Sequence, residues 1–266
     1  MKRVYLDNGS TSYPKAPGVG QAVFDFIENI GTNVNRGGYE AAYAAEDVII
    51  ETREMLCKMF HFDKIKNVIF TPSITYSLNY IIKGYLRAGD HVLVSAMEHN
   101  AMMRPLTQML EQGVEFDRVP CNQQGELLID QMEGMIRPNT KAVLMLHASN
   151  VCGTLMPVEQ VGQLCKKHGL TFILDAAQTA GAFPIDMEKR GPVVSLDFQG
   201  RDNAEISFLL DSEYGISTRC GMHCAPNAHK TLNTYPQGTV RFAFGWANRM
   251  EDVDWAVKAI REILQK

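Results

Sequence analysis

Four apolar runs in this chain lead straight into polar residues capable of chemistry. HVLVS (91–95) is followed by AMEHN, which places His99 just past the run. KAVLMLH (141–147) opens into ASNVCGT, offering His147, Ser149 and Asn150. LTFILD (170–175) closes on Asp175, with Gln178 three residues on. NVIF (67–70) runs into TPSITYSLN, where Ser73, Ile74 and Thr75 begin a helical pattern. Taken singly, each feature has a plain explanation: Ser and Thr cap helices everywhere, and Asp175 can cap the AAQTAG segment. Taken together they make a set. Backbone N–H groups and hydroxyls at a helix start suit a phosphate. A carboxylate at the end of an apolar strand needs a partner, because burying it unpaired is costly. A phosphate cradle, a flat imidazole, an amide and an acid fit a phosphorylated aromatic cofactor, with the acid holding a protonated ring nitrogen.

A second cluster lies in RCGMHCAPNAHK, which brings Cys220, His223, Cys224 and His229 close in sequence. The spacing C-x2-H-C-x4-H is not a standard zinc pattern, since neighbouring ligands would crowd one another, so no metal is expected.

The elements that must position these residues alternate. Short runs rich in branched residues (NVIF, HVLVS, VEFDRVP, KAVLMLH, LTFILD) are separated by helical patterns such as SLNYIIKGYL and VEQVGQLCKKHG. Strands alternating with helices predict a parallel sheet covered on both faces, with ligands bound outside the carboxyl ends of the strands. Ahead of them, GYEAAYAAEDVIIETREMLCKMF predicts a helix with Ala45, Val48, Ile49, Thr52, Leu56 and Met59 on one face. The alternation stops near MEKRGP, which reads as a linker. A large α/β domain over 1–188 and a small α+β domain over 189–266 are expected. The last helix carries Val253, Ala256, Val257, Ile260, Ile263 and Leu264 as its stripe.

A chain of 266 residues has room for one or two domains. Thirty acidic against twenty-six basic residues leave a net charge of -4, with no basic excess for a phosphate backbone, so nucleic acid is not an expected partner. The apolar runs are far shorter than the ~18 residues of a membrane span, and the first residues lack the apolar stretch of a signal peptide. A cytoplasmic protein with six reduced cysteines is expected.

The segments YLDNGSTSYPK, NVNRGGYEA, FTPSITYSLN, EHNA, LHASNVCGT, ILDAAQTAG, GISTRCGMHCAPNAHKTL and GTVRFAFGWANRMEDVD resemble, in order, those of the class V aminotransferase superfamily, and within it the cysteine desulfurase and selenocysteine lyase group. The resemblance implies the fold type I architecture of pyridoxal phosphate (PLP)-dependent transferases: a mainly parallel sheet with helices on both faces, here incomplete, plus a small α+β domain. It implies that Ser73, Ile74 and Thr75 hold the cofactor phosphate, that His99 stacks on the pyridine, that Asp175 pairs with the ring nitrogen, and that Asn150 and Gln178 contact the ring hydroxyl. Cys224 matches the cysteine that takes up sulfur as a persulfide, with His99 beside it in the catalytic set. Arg241 matches the arginine that grips the substrate carboxylate, and Arg219 would sit near it; a guanidinium fork suits that task. Cysteine or selenocysteine is the implied substrate, with a sulfur-acceptor protein and a homodimer as implied partners.

One departure stands out. The family carries a Schiff-base lysine in a His-Lys pair shortly after the ILDAAQTAG strand. Here AGAFPIDMEK runs directly into RGPVVSLDF, and the only His-Lys is His229-Lys230 in the cysteine loop. The chain is short of the family by about a hundred residues, comparable to a small domain. Lys189 lies nearest the junction as a substitute. A homologue that keeps the scaffold or the cofactor but not the activity is therefore the alternative expectation.

Overall fold

The computed structural model describes residues 3–34, 37–182, 193–198 and 200–265. They fall into two compact units, Pro14–Pro72 on one side and Met1–Tyr13 with Ser73–Lys266 on the other. The boundary expected at 188, and Lys189 with it, lies in 183–192, outside the described residues.

Strand β1 (Val4–Tyr5) opens the larger unit. The smaller unit contains α1 (Val19–Asp25) and α2 (Glu40–Met59). Helix α2 buries Ala42, Ala45 and Cys57, so its inner face differs from the expected stripe: Val48 and Met59 are exposed. The strand expected at NVIF is not formed. Ile65–Asn67 makes one 3-10 turn, and Ile69 stands 70% exposed. A branched run becomes a strand only where a neighbouring strand supplies its hydrogen bonds, and none among the described residues does so.

The larger unit continues with α3 (Ile74–Tyr85), β2 (His91–Ser95), α4 (Asn100–Leu110), β3 (Glu115–Val119), α5 (Ile129–Met132), β4 (Thr140–Leu146), α6 (Val158–His168) and β5 (Thr171–Asp175). The four strands make one parallel sheet in the order β3-β2-β4-β5. Successive side chains of a strand point to opposite faces. Accordingly Val92, Val94, Ala142 and Leu144 pack against Leu78 and Ile82 of α3 and Met102 and Leu106 of α4. Leu93, Val143 and Met145 pack on the other face against Met132 of α5 and Val161 and Cys165 of α6. Each fully buried Val or Leu contributes roughly 1.5–3 kcal/mol. Among the described residues β5 has a single strand neighbour, and its Leu174 is half-exposed where a run of this apolarity reads as buried.

The chain then forms β6 (Val193–Leu196), α7 (Asn203–Tyr214), β7 (Ile216–Ser217), β8 (Arg219–Gly221), α8 (Pro226–Thr231), β9 (Thr239–Ala243) and α9 (Met250–Gln265). Strands β6, β9 and β8 make an antiparallel sheet in that order, and β1 pairs in parallel with β7. Leu6, Ile206, Leu210, Ile216, Val240, Phe242, Ala259 and Ile263 form its core. In α9 the buried side is Ala256, Ala259 and Ile263, whereas Val257 and Leu264 of the expected stripe face solvent. Asp7 forms an isolated bridge to Ala243, which carries the residues after β1 along the end of β9. No helix among the described residues is long and apolar enough to cross a membrane.

Candidate active site

A cavity of ≈ 880 Å³ opens at the carboxyl ends of the parallel strands, entirely within the larger unit. Of the ten residues to which the resemblance gives a role in the site, it is lined by Ile74, His99, Asn150, Asp175, Gln178, Arg219 and Arg241. Ser73 and Thr75 flank Ile74 at the start of α3 but are not on the lining. Cys224 is exposed and also off the lining, although its neighbour His223 is on it. Among the described residues no lysine lines the cavity, and no group of three or more His, Cys, Asp or Glu side chains is placed to hold a metal.

His99 stands where α4 begins. Its Nδ1 accepts the Ala101 N–H at 3.1 Å, which caps the helix and leaves the ring proton on Nε2. Burial pushes its pKa down, with Asp175 acting the other way, so the ring is neutral at neutral pH. Asp175 ends β5. Its Oδ1 accepts the Ala177 N–H at 2.9 Å, and its carbonyl accepts the His147 N–H at 2.8 Å. Burial raises its pKa, opposed by the Ala177 hydrogen bond and by His99. No ion pair to Asp175 occurs among the described residues within 4.0 Å. AAQTAG forms turns rather than a helix, so Asp175 caps no helix.

Asn150 follows β4. Its Nδ2 donates to the His223 carbonyl at 2.8 Å, while its Oδ1 is buried without a partner among the described residues. Gln178 Nε2 donates to the Gly9 carbonyl at 3.2 Å. The cysteine loop is fastened from both sides: the Asn100 N–H reaches the Cys224 carbonyl at 3.0 Å, and Asn150 holds the preceding one. His223 and Cys224 both take left-handed backbone conformations, φ 48° and 56°, a turn that leaves the Cys224 side chain outward. His223 is buried, and that pushes its pKa down to about 4, so it lends no positive charge to Cys224 at neutral pH. His147 and Ser149 serve the scaffold: His147 Nδ1 pairs with Thr179 Oγ1 at 2.9 Å, and Ser149 Oγ accepts the Val151 N–H at 3.2 Å.

Two groups escaped the sequence reading. Glu98, next to His99, is 2% exposed, and its Oε1 accepts from Ser95 Oγ at 2.6 Å and from the Leu146 N–H at 3.1 Å. It ties the ends of β2 and β4 together beneath the cavity, and burial pushes its pKa up to about 8. Nothing in EHNA separates a buried acid from an exposed one. The segment Asn8–Ser12 also lines the cavity, with Asp7 just behind. Its only signal was its place in YLDNGST, a polar run after an apolar start.

The aminotransferase class-V family profile matches residues 4–192 and 188–255, two segments that meet at the junction where the sequence lacks a His-Lys pair. A probable cysteine desulfurase of Halalkalibacterium halodurans is 31% identical over 193 residues, covering 71% of this chain and 47% of that protein. The cysteine desulfurase IscS of Shewanella sp. strain MR-4 is 29% identical over 191 residues, covering 70% and 47%. The chain thus spans about half the length of the curated relatives it matches. Among solved structures, the apo cysteine desulfurase of Thermococcus onnurineus NA1 superposes with a TM-score of 0.90 at 19% identity, covering 99% of this chain and 95% of that one, a likeness of fold. SspA in complex with cysteine reaches a TM-score of 0.63 at 25% identity over 73% of this chain and 56% of that one.

Proposed function

The chain belongs to the class V aminotransferase family, and from that premise we propose that its cavity is a PLP site serving cysteine desulfurase-like sulfur transfer. The observation that carries the reading is Asp175: a carboxyl buried at a strand end, raised in pKa, and open to a cationic partner. A protonated pyridine nitrogen is such a partner, and pairing with it favours the carboxylate. The buried unpartnered Oδ1 of Asn150 is a second point of fit, an acceptor awaiting a donor. The start of α3, with Ile74 on the cavity wall, supports Ser73 and Thr75 as the phosphate cradle. His99, neutral and fixed by its bond to Ala101, is suited to lie on an aromatic ring.

When bound, PLP supplies an electron sink for bond cleavage beside an amino acid's α-carbon. The chain's own groups do the rest. Arg241 and Arg219 anchor the substrate carboxylate and Asp175 orients the ring. The Cys224 sulfur attacks the substrate sulfur as its carbon–sulfur bond breaks. The bonding pair and a proton stay with the carbon fragment, which leaves as alanine, and the sulfur remains on Cys224 as a persulfide that an acceptor protein collects. Because the fastened loop leaves Cys224 exposed, the persulfide stands within reach of that acceptor. Cysteine and selenocysteine are the substrate candidates. A homodimer in the cytoplasm completes the reading, to be checked by light scattering on the purified chain. The test of the sulfur step is intact-mass analysis after PLP and L-cysteine. One persulfide sulfur mapping to Cys224, and absent in Cys224→Ala, is expected; a persulfide retained in that variant removes Cys224 from the role.

The alternative, a scaffold that keeps the cofactor but not the activity, is told apart from the first reading by experiment. Among the described residues the cavity offers partners for the ring, the phosphate and the substrate carboxylate, while Lys189 lies outside the described residues. In this reading the scaffold holds PLP by non-covalent contacts alone and does not turn over. Borohydride reduction separates the two: a phosphopyridoxyl group fixed on one lysine supports the enzyme, and reversible binding without fixation supports the scaffold.

A further inference from the structure

A carboxylate of the chain itself already occupies one edge of Arg241. This arginine is 1% exposed; its Nη2 donates to Asp7 Oδ1 at 2.7 Å and to Ser10 Oγ at 2.9 Å, and its Nη1 donates to the Asn150 carbonyl at 3.2 Å. Arg219 Nη1 donates to the same Ser10 Oγ at 3.0 Å, and that hydroxyl donates to Asp7 Oδ1 at 2.9 Å. A hydroxyl has one proton and two lone pairs, so Ser10 uses all three to join both arginines to one acid. Gly9 lies against the guanidinium: a Cβ there would come within 3.1 Å of Arg241 Cζ, close enough that the arginine or the segment would have to give way by a few tenths of an ångström. Arg241 Nε remains buried without a partner among the described residues.

Two guanidinium groups and one carboxylate leave the cluster with a single net positive charge at the cavity wall. We propose that Asp7 sets the charge selectivity of this anion site, so that it accepts one carboxylate, as an amino acid presents, and disfavours dianions. Asp7 does so by neutralising Arg241 and occupying its Nη2, while Ser10 holds Arg219 in the same cluster. The inference rests on the reading of Arg219 and Arg241 as carboxylate anchors. A purely structural Asp7 would affect folding but not discrimination between anions of different charge.

The test titrates acetate and malonate into the full chain without added cofactor, following the change in tryptophan emission, to which Trp246 on the cavity lining and Trp255 away from it both contribute. The wild type is expected to bind malonate no more tightly than acetate. Asp7→Asn keeps the shape, removes the charge, and should tighten malonate by about tenfold, equivalent to about 1.4 kcal/mol, with a smaller gain for acetate. An unchanged malonate-to-acetate ratio overturns the proposal. Arg241→Gln keeps the two failures apart. If it loses both anions while the Asp7→Asn ratio stays put, the anchors stand and the role of Asp7 falls. If it binds both as before, the anchor reading itself has failed. Should Asp7→Asn not fold, the wild type decides, because a tenfold preference for malonate over acetate contradicts a site of one net charge.

Discussion

Replacing Glu98 by Gln should make the chain's stability less sensitive to pH on the alkaline side. Glu98 is 2% exposed, and burial pushes its pKa up to about 8, against an ordinary value of 4.5. The folded state therefore holds this proton more tightly than the unfolded state. The stabilisation is full below about pH 4.5 and is lost as pH rises through about 8. Integrated from pH 5 to pH 8, the difference is on the order of 3–4 kcal/mol. Gln mimics the neutral acid and can keep the two bonds accepted at Oε1, from Ser95 and the Leu146 N–H. Its amide nitrogen inherits the position of Oε2, which is buried without a partner among the described residues, so some fixed cost is expected at every pH. Urea unfolding of wild type and Glu98→Gln at pH 5 and pH 8 reads the effect. The variant should gain on the wild type by roughly 3–4 kcal/mol between the two. A stability difference equal at both pH values would refute the reasoning, because Glu98 would then titrate alike in the folded and unfolded chain.

Further outcomes follow from other sites. His223 has its pKa pushed down to about 4 by burial, so its contribution to stability is present above pH 6.5 and lost as pH falls through 4; His223→Gln should flatten the acid limb by about 3 kcal/mol in the same assay. Leu144→Ala, at a fully buried position between β4 and the α3–α4 face, should cost about 2–5 kcal/mol by denaturant midpoint, with the cavity chemistry intact. Gly9→Ala should disturb Arg241 through the close approach at Cζ, weakening acetate binding while the melting temperature changes little.

The parallel sheet was legible because its strands are unambiguous. In HVLVS and KAVLMLH the central residues on both faces, Val92 to Val94 and Ala142 to Leu146, are apolar and buried, and the structure forms β2 and β4 there. NVIF carried the same local signal and failed, because pairing is a non-local property that composition does not report. The α2 and α9 stripes were misassigned at Val48, Met59, Val257 and Leu264 for a related reason. Apolar spacing marks a face, but the partner surface decides how much of it is covered. In the cavity, residues at strand ends could be named because the architecture gathers strand ends at one place. Glu98 and Asp7 could not, since burial and ion pairing arise from segments distant in sequence: Asp7 meets Arg241 across 234 positions. Cys224 was legible as a reactive candidate, but its outward direction depends on two successive left-handed residues that its sequence does not announce.

The central claim is that the cavity around Asp175 is the cofactor site. PLP titrated into the full chain, followed by its absorbance difference spectrum, tests that claim most directly when wild type and Asp175→Ala are compared. Saturable binding of one PLP per chain, strongly weakened in Asp175→Ala while the variant still melts cooperatively, is the predicted result. Saturable binding that Asp175→Ala leaves unchanged, or no saturable binding to the wild type, would contradict it.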